Sequence, residues 1–407
     1  DAARALWSID GVAATVSGAT LDALARRADV RVIIADGKLR LEPPAATLRL
    51  GSDAMAAEEA MQWDLRQIKV DMARRLLGVD GRGVTVAVVD SGVDYHHPLL
   101  RASYRGAQPD GSVRHARNWW CNRGLDSFCG QGDTYPVDSV GHGTHVLGTI
   151  VAPAGIGVAP GARWIAARAC QADGCPLSWM VAALEWIVDL GEDRPDIVNL
   201  SLGTAVPLEI NLYQQAVNRI VEAGVFVVAA MGNNRDSLLA PATFTATLGV
   251  GAVTADGAVW NRSARGISTW QETKPDLVAP GVGITSTLPG GGLGRLSGTS
   301  MASPHVAGVA ALVLQASPKL KPAELKEVLR RTATPLGASV PGRDSGWGLV
   351  NAYAAVASVS DIGQLRGQVR RAADGEPIVW ARVTVASPIG DPMASTAVSP
   401  IDGSFAL

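Results

Sequence analysis

The sequence predicts an α/β fold, a parallel sheet covered by helices on both faces, with a smaller piece at each end. Three observations predict it. Between Val84 and Leu202 the short apolar runs "VTVAVVD", "RWIAARA" and "DIVNLSLG" alternate with helix-like stretches such as "SWMVAALEWIVDLGE". The alternation continues through "YQQAVNRIVEAG" into "VFVVAAMGN", and Val-rich strands that do not alternate with polar residues belong to sheets buried on both sides. The 407 residues, 47% of them apolar, suffice for one large domain plus smaller ones.

The elements follow in order. Residues 1–45 contain "VAATVSGATLDALARRADVRVII", which reads as strand, helix and strand, and "LEPPAATLRL", with its prolines at 43 and 44, leads into a linker over 46–61. Residues 62–358 carry the α/β pattern. The uncharged run from Leu296 to Pro318 is long enough for a bilayer, but its first half is Ser, Thr, Gly, Pro and His, so it reads as a core helix and no membrane span is expected. From Gly363 onward, polar and apolar residues alternate around the turn signals "ADGE" and "IDGS", as in a small β-sandwich over 365–407. The chain opens without a basic-then-apolar leader and stops within that sandwich, so it reads as a piece of a longer precursor.

Charge narrows the class of partner. Lys and Arg total 36 against 38 Asp and Glu, which leaves no excess to attract nucleic acid or an anionic membrane. The 45 glycines and 23 prolines show no period, which suits a compact fold with many tight turns. The four cysteines form two close pairs, Cys121 with Cys129 and Cys170 with Cys175, each across a short, turn-rich loop. Two local disulfides in an oxidising compartment are the expected arrangement. Four free thiols are the alternative, and a shared zinc site lacks CxxC spacing.

Four side chains stand where chemistry is done. "GTSMASPHVAG" opens the core helix with Ser300, and a helix N-terminus can cap itself with serine or present one as a nucleophile beside a stabilised anion. "VGHGTHVLGT" sets His142 among glycines that leave an imidazole open to a cleft; His145 lies three residues on, without the HExxH pattern of a metal site. Asp90 ends a strand, where the reactive groups of parallel sheets gather, although an acid there can also cap a turn. Asn233 ends another, where an amide can serve a turn or donate to an oxyanion. Together they form the set that peptide hydrolysis needs: a serine, a base to take its proton, an acid to hold the base in one tautomer, and donors for the tetrahedral oxyanion.

The segments "VAVVDSGVDYHHP", "GHGTHVLGT", "VNLSLG", "AAMGN" and "GTSMASPHVAGVAALV" resemble, in order, the signature segments of subtilisin-like serine proteases, across roughly Gln62 to Val356. "HHPLLRASYRG" and "IGVAPGARWIAARAC" further resemble the bacillopeptidase F-like branch. The resemblance implies a three-layer fold and a serine endopeptidase in which Asp90 orients His142, His142 shuttles the proton of Ser300, and Asn233 with the Ser300 N–H holds the oxyanion. His145 and His305 would be structural. It implies protein or peptide substrates bound as an added strand by Ser201, Leu202 and Gly203 on one side and the Gly174 loop on the other, with Gly232 nearby, and a pocket borrowing residues between Leu238 and Ala242.

The resemblance also implies a secreted monomer made as a zymogen. Residues 1–45 resemble the C-terminal part of the inhibitory propeptide, processing would fall between Glu42 and Met61, and the sandwich resembles carboxypeptidase-regulatory-like modules. This sequence departs from the family pattern at two places. Cys175 and Pro176 replace the usual Gly or Ser on the second edge, and Pro176 removes a donor there. Leu99 stands where an acid commonly follows the "HP", so the family's tight calcium site is not expected. A calcium among Asp126, Asp133 and Asp138 is unsupported by spacing, and no cofactor is required for the chemistry. Two rival readings are weaker. A catalytically silent binding protein should lack one of the four residues, and an α/β lipase would carry GxSxG with its histidine last.

Overall fold

The computed structural model describes residues 3–41, 48–50, 61–122, 129, 135–205, 210–360, 366–379, 382–386, 392–397 and 404–406. They form two units, 1–359 and 360–407.

The first unit begins with a hairpin of β1 (Ala3–Leu6) and β2 (Gly11–Ala14), followed by α1 (Gly18–Ala25), whose N-cap Ser17 accepts the Thr20 N–H. The strand expected at "VRVII" pairs with nothing among the described residues, and Val32 is 65% exposed there. Pairing starts later, at β3 (Lys38–Leu39). Within the expected linker, β4 (Leu48–Leu50) lies in a ladder. Helices α2 (Trp63–Gln67) and α3 (Val70–Leu77) lead into the sheet.

Seven strands build that sheet: β5 (Thr85–Asp90), β6 (Trp119–Cys121), β7 (Arg163–Arg168), β9 (Ile197–Leu200), β10 (Phe226–Ala230), β11 (Leu248–Val253) and β12 (Leu277–Pro280). Their order is β12-β11-β10-β9-β5-β7-β6, and every neighbouring pair is parallel. β8 (Cys175–Pro176) lies outside it and pairs antiparallel with β3.

The period of two along each strand divides the interior into two cores. Val86 and Val88 of β5 and Phe226 and Val228 of β10 face one core; Ala87, Val89, Val227 and Ala229 face the other. The first core is covered by α4 (His142–Val151) and α7 (Thr299–Ala316), the second by α5 (Leu177–Asp189) and α6 (Ile210–Glu222). An unbroken Val-rich strand is stable here because both of its faces are dry. The hairpin of β13 (Ile284–Leu288) and β14 (Gly292–Leu296) packs on α4 and receives β4 at its edge. α8 (Pro322–Arg331) and α9 (Ala352–Val359) close the unit. The long uncharged run is α7, and no helix among the described residues is long and apolar enough to cross a membrane.

The second unit holds two antiparallel ladders, β15 (Arg366–Gln368) with β18 (Ser404–Ala406) and β16 (Arg382–Ala386) with β17 (Pro392–Ala397). The "ADGE" signal forms a turn in which Arg371 N–H donates to Glu376 O.

Candidate active site

Parallel strands bring their carboxyl ends to one edge of the sheet, and four sequence-predicted residues reach that edge. Asp90 is the last residue of β5, His142 the first of α4, Asn233 follows β10, and Ser300 lies in the first turn of α7. All four are buried, at 0%, 4%, 5% and 3% exposure.

His142 Nδ1–H donates to Asp90 Oδ1 at 2.8 Å and Oδ2 at 3.0 Å. The fit depends on Gly143: a Cβ there would sit 2.1 Å from the Gly92 carbonyl and 3.1 Å from Asp90 Cβ, so only glycine lets α4 start this close to the β5 loop. Asp138 builds that start. Its Oδ1 accepts the Val140 and Gly141 N–H groups and its Oδ2 the Thr144 N–H at 2.9 Å and hydroxyl at 2.6 Å, while Ser91 Oγ donates to Oδ1 and accepts from Gly143 N–H. Arg168 ties the same loop by donating to the Ser91 carbonyl and Ser139 Oγ. Burial opposes a charged His142, but the charge and hydrogen bond of Asp90, with Asp138 behind, outweigh it and raise the imidazole above its ordinary value.

Asn233 Oδ1 accepts the Thr299 N–H at 2.8 Å and hydroxyl at 3.0 Å. The amide is thereby oriented with its Nδ2 toward Gly298, and the Gly232 N–H is spent on Thr299 Oγ1. Ser300 Oγ donates to the Ser201 carbonyl at 3.0 Å. His142 Nε2 is buried without a hydrogen-bond partner among the described residues. The acid and base are therefore joined, whereas the serine hydroxyl is turned to the neighbouring strand and must rotate to meet the base.

His145 donates from Nε2 to the Ile284 and Gly294 carbonyls, and burial lowers its pKa to about 3, so it is a neutral packing group. His305 is held between the Met301 carbonyl and Asp64.

The two expected substrate edges hold a segment of the chain itself. Arg40 N–H donates to Gly203 O at 2.8 Å and Gly203 N–H to Arg40 O at 3.2 Å; across the gap, Lys38 and Leu39 pair with Pro176 and Cys175. A Cβ on Gly174, whose φ is +126°, would meet the Leu39 carbonyl at 2.8 Å. Leu39 is 2% exposed, in one core with Leu202, Cys170 and Cys175. Lys38 is paired with Asp173, Gly37 O accepts Leu177 N–H, and Asp36 accepts the Ser178 N–H and hydroxyl at the start of α5. Leu239 and Ala240 lie beside Gly203.

Both cysteine pairs are disulfides, Cys121–Cys129 and Cys170–Cys175. The second joins Cys175 to Cys170, whose N–H, like that of Ala169, donates to the Asp90 carbonyl. Among the described residues no group of three His, Cys, Asp or Glu could hold a metal. The oxygens of Asp138 are occupied as above, and Asp126 and Asp133 lie outside the described residues.

Sequence reasoning missed Asp138 and Thr299 as the residues that orient His142 and Asn233. The only local signal was position: an acid four residues before His142 and a threonine directly before Ser300.

Comparison with known proteins agrees with this geometry. The sequence model of the subtilase family matches residues 81–348. Bacillopeptidase F of Bacillus subtilis (strain 168) is 33% identical over 93% of this chain, which spans 28% of the length of that protein. Subtilisin E of the same organism is 35% identical over 78% of this chain and 77% of its own length, and an alkaline protease of Alkalihalobacillus alcalophilus is 35% identical over 78% and 75%. With the family match lying over the sheet that carries Asp90, His142, Asn233 and Ser300, the chain belongs to the subtilase family of serine endopeptidases.

Proposed function

We propose that the protein is a secreted endopeptidase that cleaves peptide bonds through Asp90, His142 and Ser300, and that residues 1–45 are the C-terminal part of its inhibitory propeptide. The buried Asp90–His142 pair is the observation that carries the catalytic reading. Asp90 fixes the tautomer that leaves Nε2 free to accept a proton. Once the Ser300 hydroxyl rotates from the Ser201 carbonyl to Nε2, it can attack a carbonyl as its proton passes to His142. Asn233 Nδ2 and the Ser300 N–H then face the developing oxyanion, and His142 returns the proton to the leaving amine.

The strand at 38–40 supports the propeptide reading, because it makes the main-chain bonds an extended substrate would make. In the antiparallel register of Arg40 with Gly203, a substrate residue two positions further on lies opposite Ser201, beside Ser300. The two disulfides support export to an oxidising compartment.

The test is active-site labelling. A fluorophosphonate added to the processed protein should modify Ser300, located by mass spectrometry, and should leave the Ser300→Ala protein unmodified. A folded, unblocked protein that takes no label would overturn the enzymatic reading in favour of a binding role.

A further inference from the structure

Beyond the residues that touch substrate, we propose that Asn199 and Ser303 are positioning residues that hold Ser300 through a one-way chain of hydrogen bonds; this rests on the proteolytic reading above. The chain begins with a gap in α7. Pro304 has no N–H, so the Ser300 carbonyl four residues earlier has no partner within the helix. Ser201 Oγ fills the gap, donating to Ser300 O at 2.8 Å. Ser201 Oγ in turn accepts from Asn199 Nδ2 at 2.9 Å, and Asn199 Oδ1 accepts from the Ser303 hydroxyl. Asn199, Ser201 and Ser303 are all 0% exposed, so water does not compete for these bonds.

Counting hydrogens fixes the direction. Ser303 has one hydroxyl hydrogen and gives it to Oδ1, which turns the amide donors of Asn199 toward Ser201. Ser201, already accepting from Asn199, gives its single hydrogen to the Ser300 carbonyl. The peptide unit leaving the nucleophile is therefore held by a donor whose orientation is set two residues away on β9. The same strand continues into Ser201, Leu202 and Gly203, so the nucleophile and the substrate edge share one support. Ser300 Oγ donating back to Ser201 O closes the pair.

The substitution that isolates this role is Asn199→Asp, which keeps the shape and, at a pH where the carboxylate is ionised, offers only acceptors. Ser201 would then donate to the new carboxylate, and the Ser300 carbonyl would lose its donor. The expected result is a fall of about tenfold in the single-turnover acylation rate, with KM within about twofold of the parent, because the edge backbones are untouched. Ser201→Ala removes the same donor and should cost about as much, while Ser201→Thr, which keeps the hydroxyl, should restore the rate.

The deciding measurement is the double-mutant cycle: Asn199→Asp should cost nothing further in the Ser201→Ala background. Equal cost in both backgrounds, or an unchanged acylation rate in a folded Asn199→Asp protein, would overturn the proposal. Should Asn199→Asp fail to fold, Ser303→Ala takes its place in the cycle, with an expected loss of about threefold that vanishes in the Ser201→Ala background. Fluorophosphonate labelling of the unsubstituted protein is run alongside. Labelled parent protein with an additive cycle refutes only the relay, whereas unlabelled parent protein refutes the proteolytic reading.

Discussion

Leu39→Ala is a quantitative test of the proposal that a propeptide occupies the cleft. Leu39 is 2% exposed, in the core that holds Cys170, Cys175 and Leu202. Truncation removes three carbons from a dry site, worth about 2.4 kcal/mol at ~0.8 kcal/mol per methylene, and a cavity that does not collapse raises the range for such changes to about 2–5 kcal/mol. At about 1.4 kcal/mol per factor of ten, inhibition of the processed enzyme by added prosegment should weaken at least roughly 50-fold. The backbone bonds of Arg40 with Gly203 and the Asp36 contacts at Ser178 are unchanged, so inhibition should weaken without being abolished. The assay is a progress-curve titration of the processed enzyme with two prosegments, the native one and its Leu39→Ala form. Equal inhibition constants would refute the placement of Leu39 in a binding pocket of the enzyme.

Three further outcomes follow from the same structure. A general base must be neutral, and the pKa of His142 is raised, so under the proposed mechanism kcat/KM should climb with pH through a midpoint above the ordinary histidine value of about 6.5; a flat profile from pH 5 to 9, or a midpoint below that value, would contradict its pairing with Asp90. Burial works against an ionised Asp276, yet Lys274 at 2.9 Å, with Lys326 and Arg330, holds its carboxyl far below the usual range. Asp276→Asn should therefore cost roughly 3–5 kcal/mol in urea unfolding of the Ser300→Ala protein at pH 7, since it takes the nearer carboxylate from a fully buried Lys274 and leaves it Glu272 at 3.4 Å. Because a depressed carboxylate stabilises above its unfolded pKa of about 3.9 and loses that contribution as pH falls toward its folded value, parent and variant should converge in acid; a constant gap at all pH values would exclude the linkage. Pro176→Gly restores a backbone donor on the edge that pairs with Lys38, and should alter cleavage preference at the positions before the scissile bond; an unchanged cleavage pattern in peptide-library digestion would refute a role for Pro176 in selection.

Local patterns of apolar and small residues carry strand burial and helix starts, so the sheet, the order Asp90, His142, Ser300, and the glycine-rich settings of all three were legible in the chain. Asn233 was visible for the same reason, as an amide at a strand end, and both disulfides were visible as close pairs across short turns. How these residues are held depends on contacts between distant parts of the chain. The single hydrogens of Ser201 and Ser303, the carboxylate of Asp138 and the hydroxyl of Thr299 acquire direction only when strands and helices distant in the chain meet at one buried edge. The stretch "VRVII", which joins no sheet among the described residues, makes the same point in reverse: its residues favour a strand, but a strand needs a neighbour to take its hydrogen bonds, and that depends on what folds beside it. Residues 1–45 resembled an inhibitory propeptide, but nothing in the residues of 36–41 themselves says that Gly203 and Cys175 will close around that stretch.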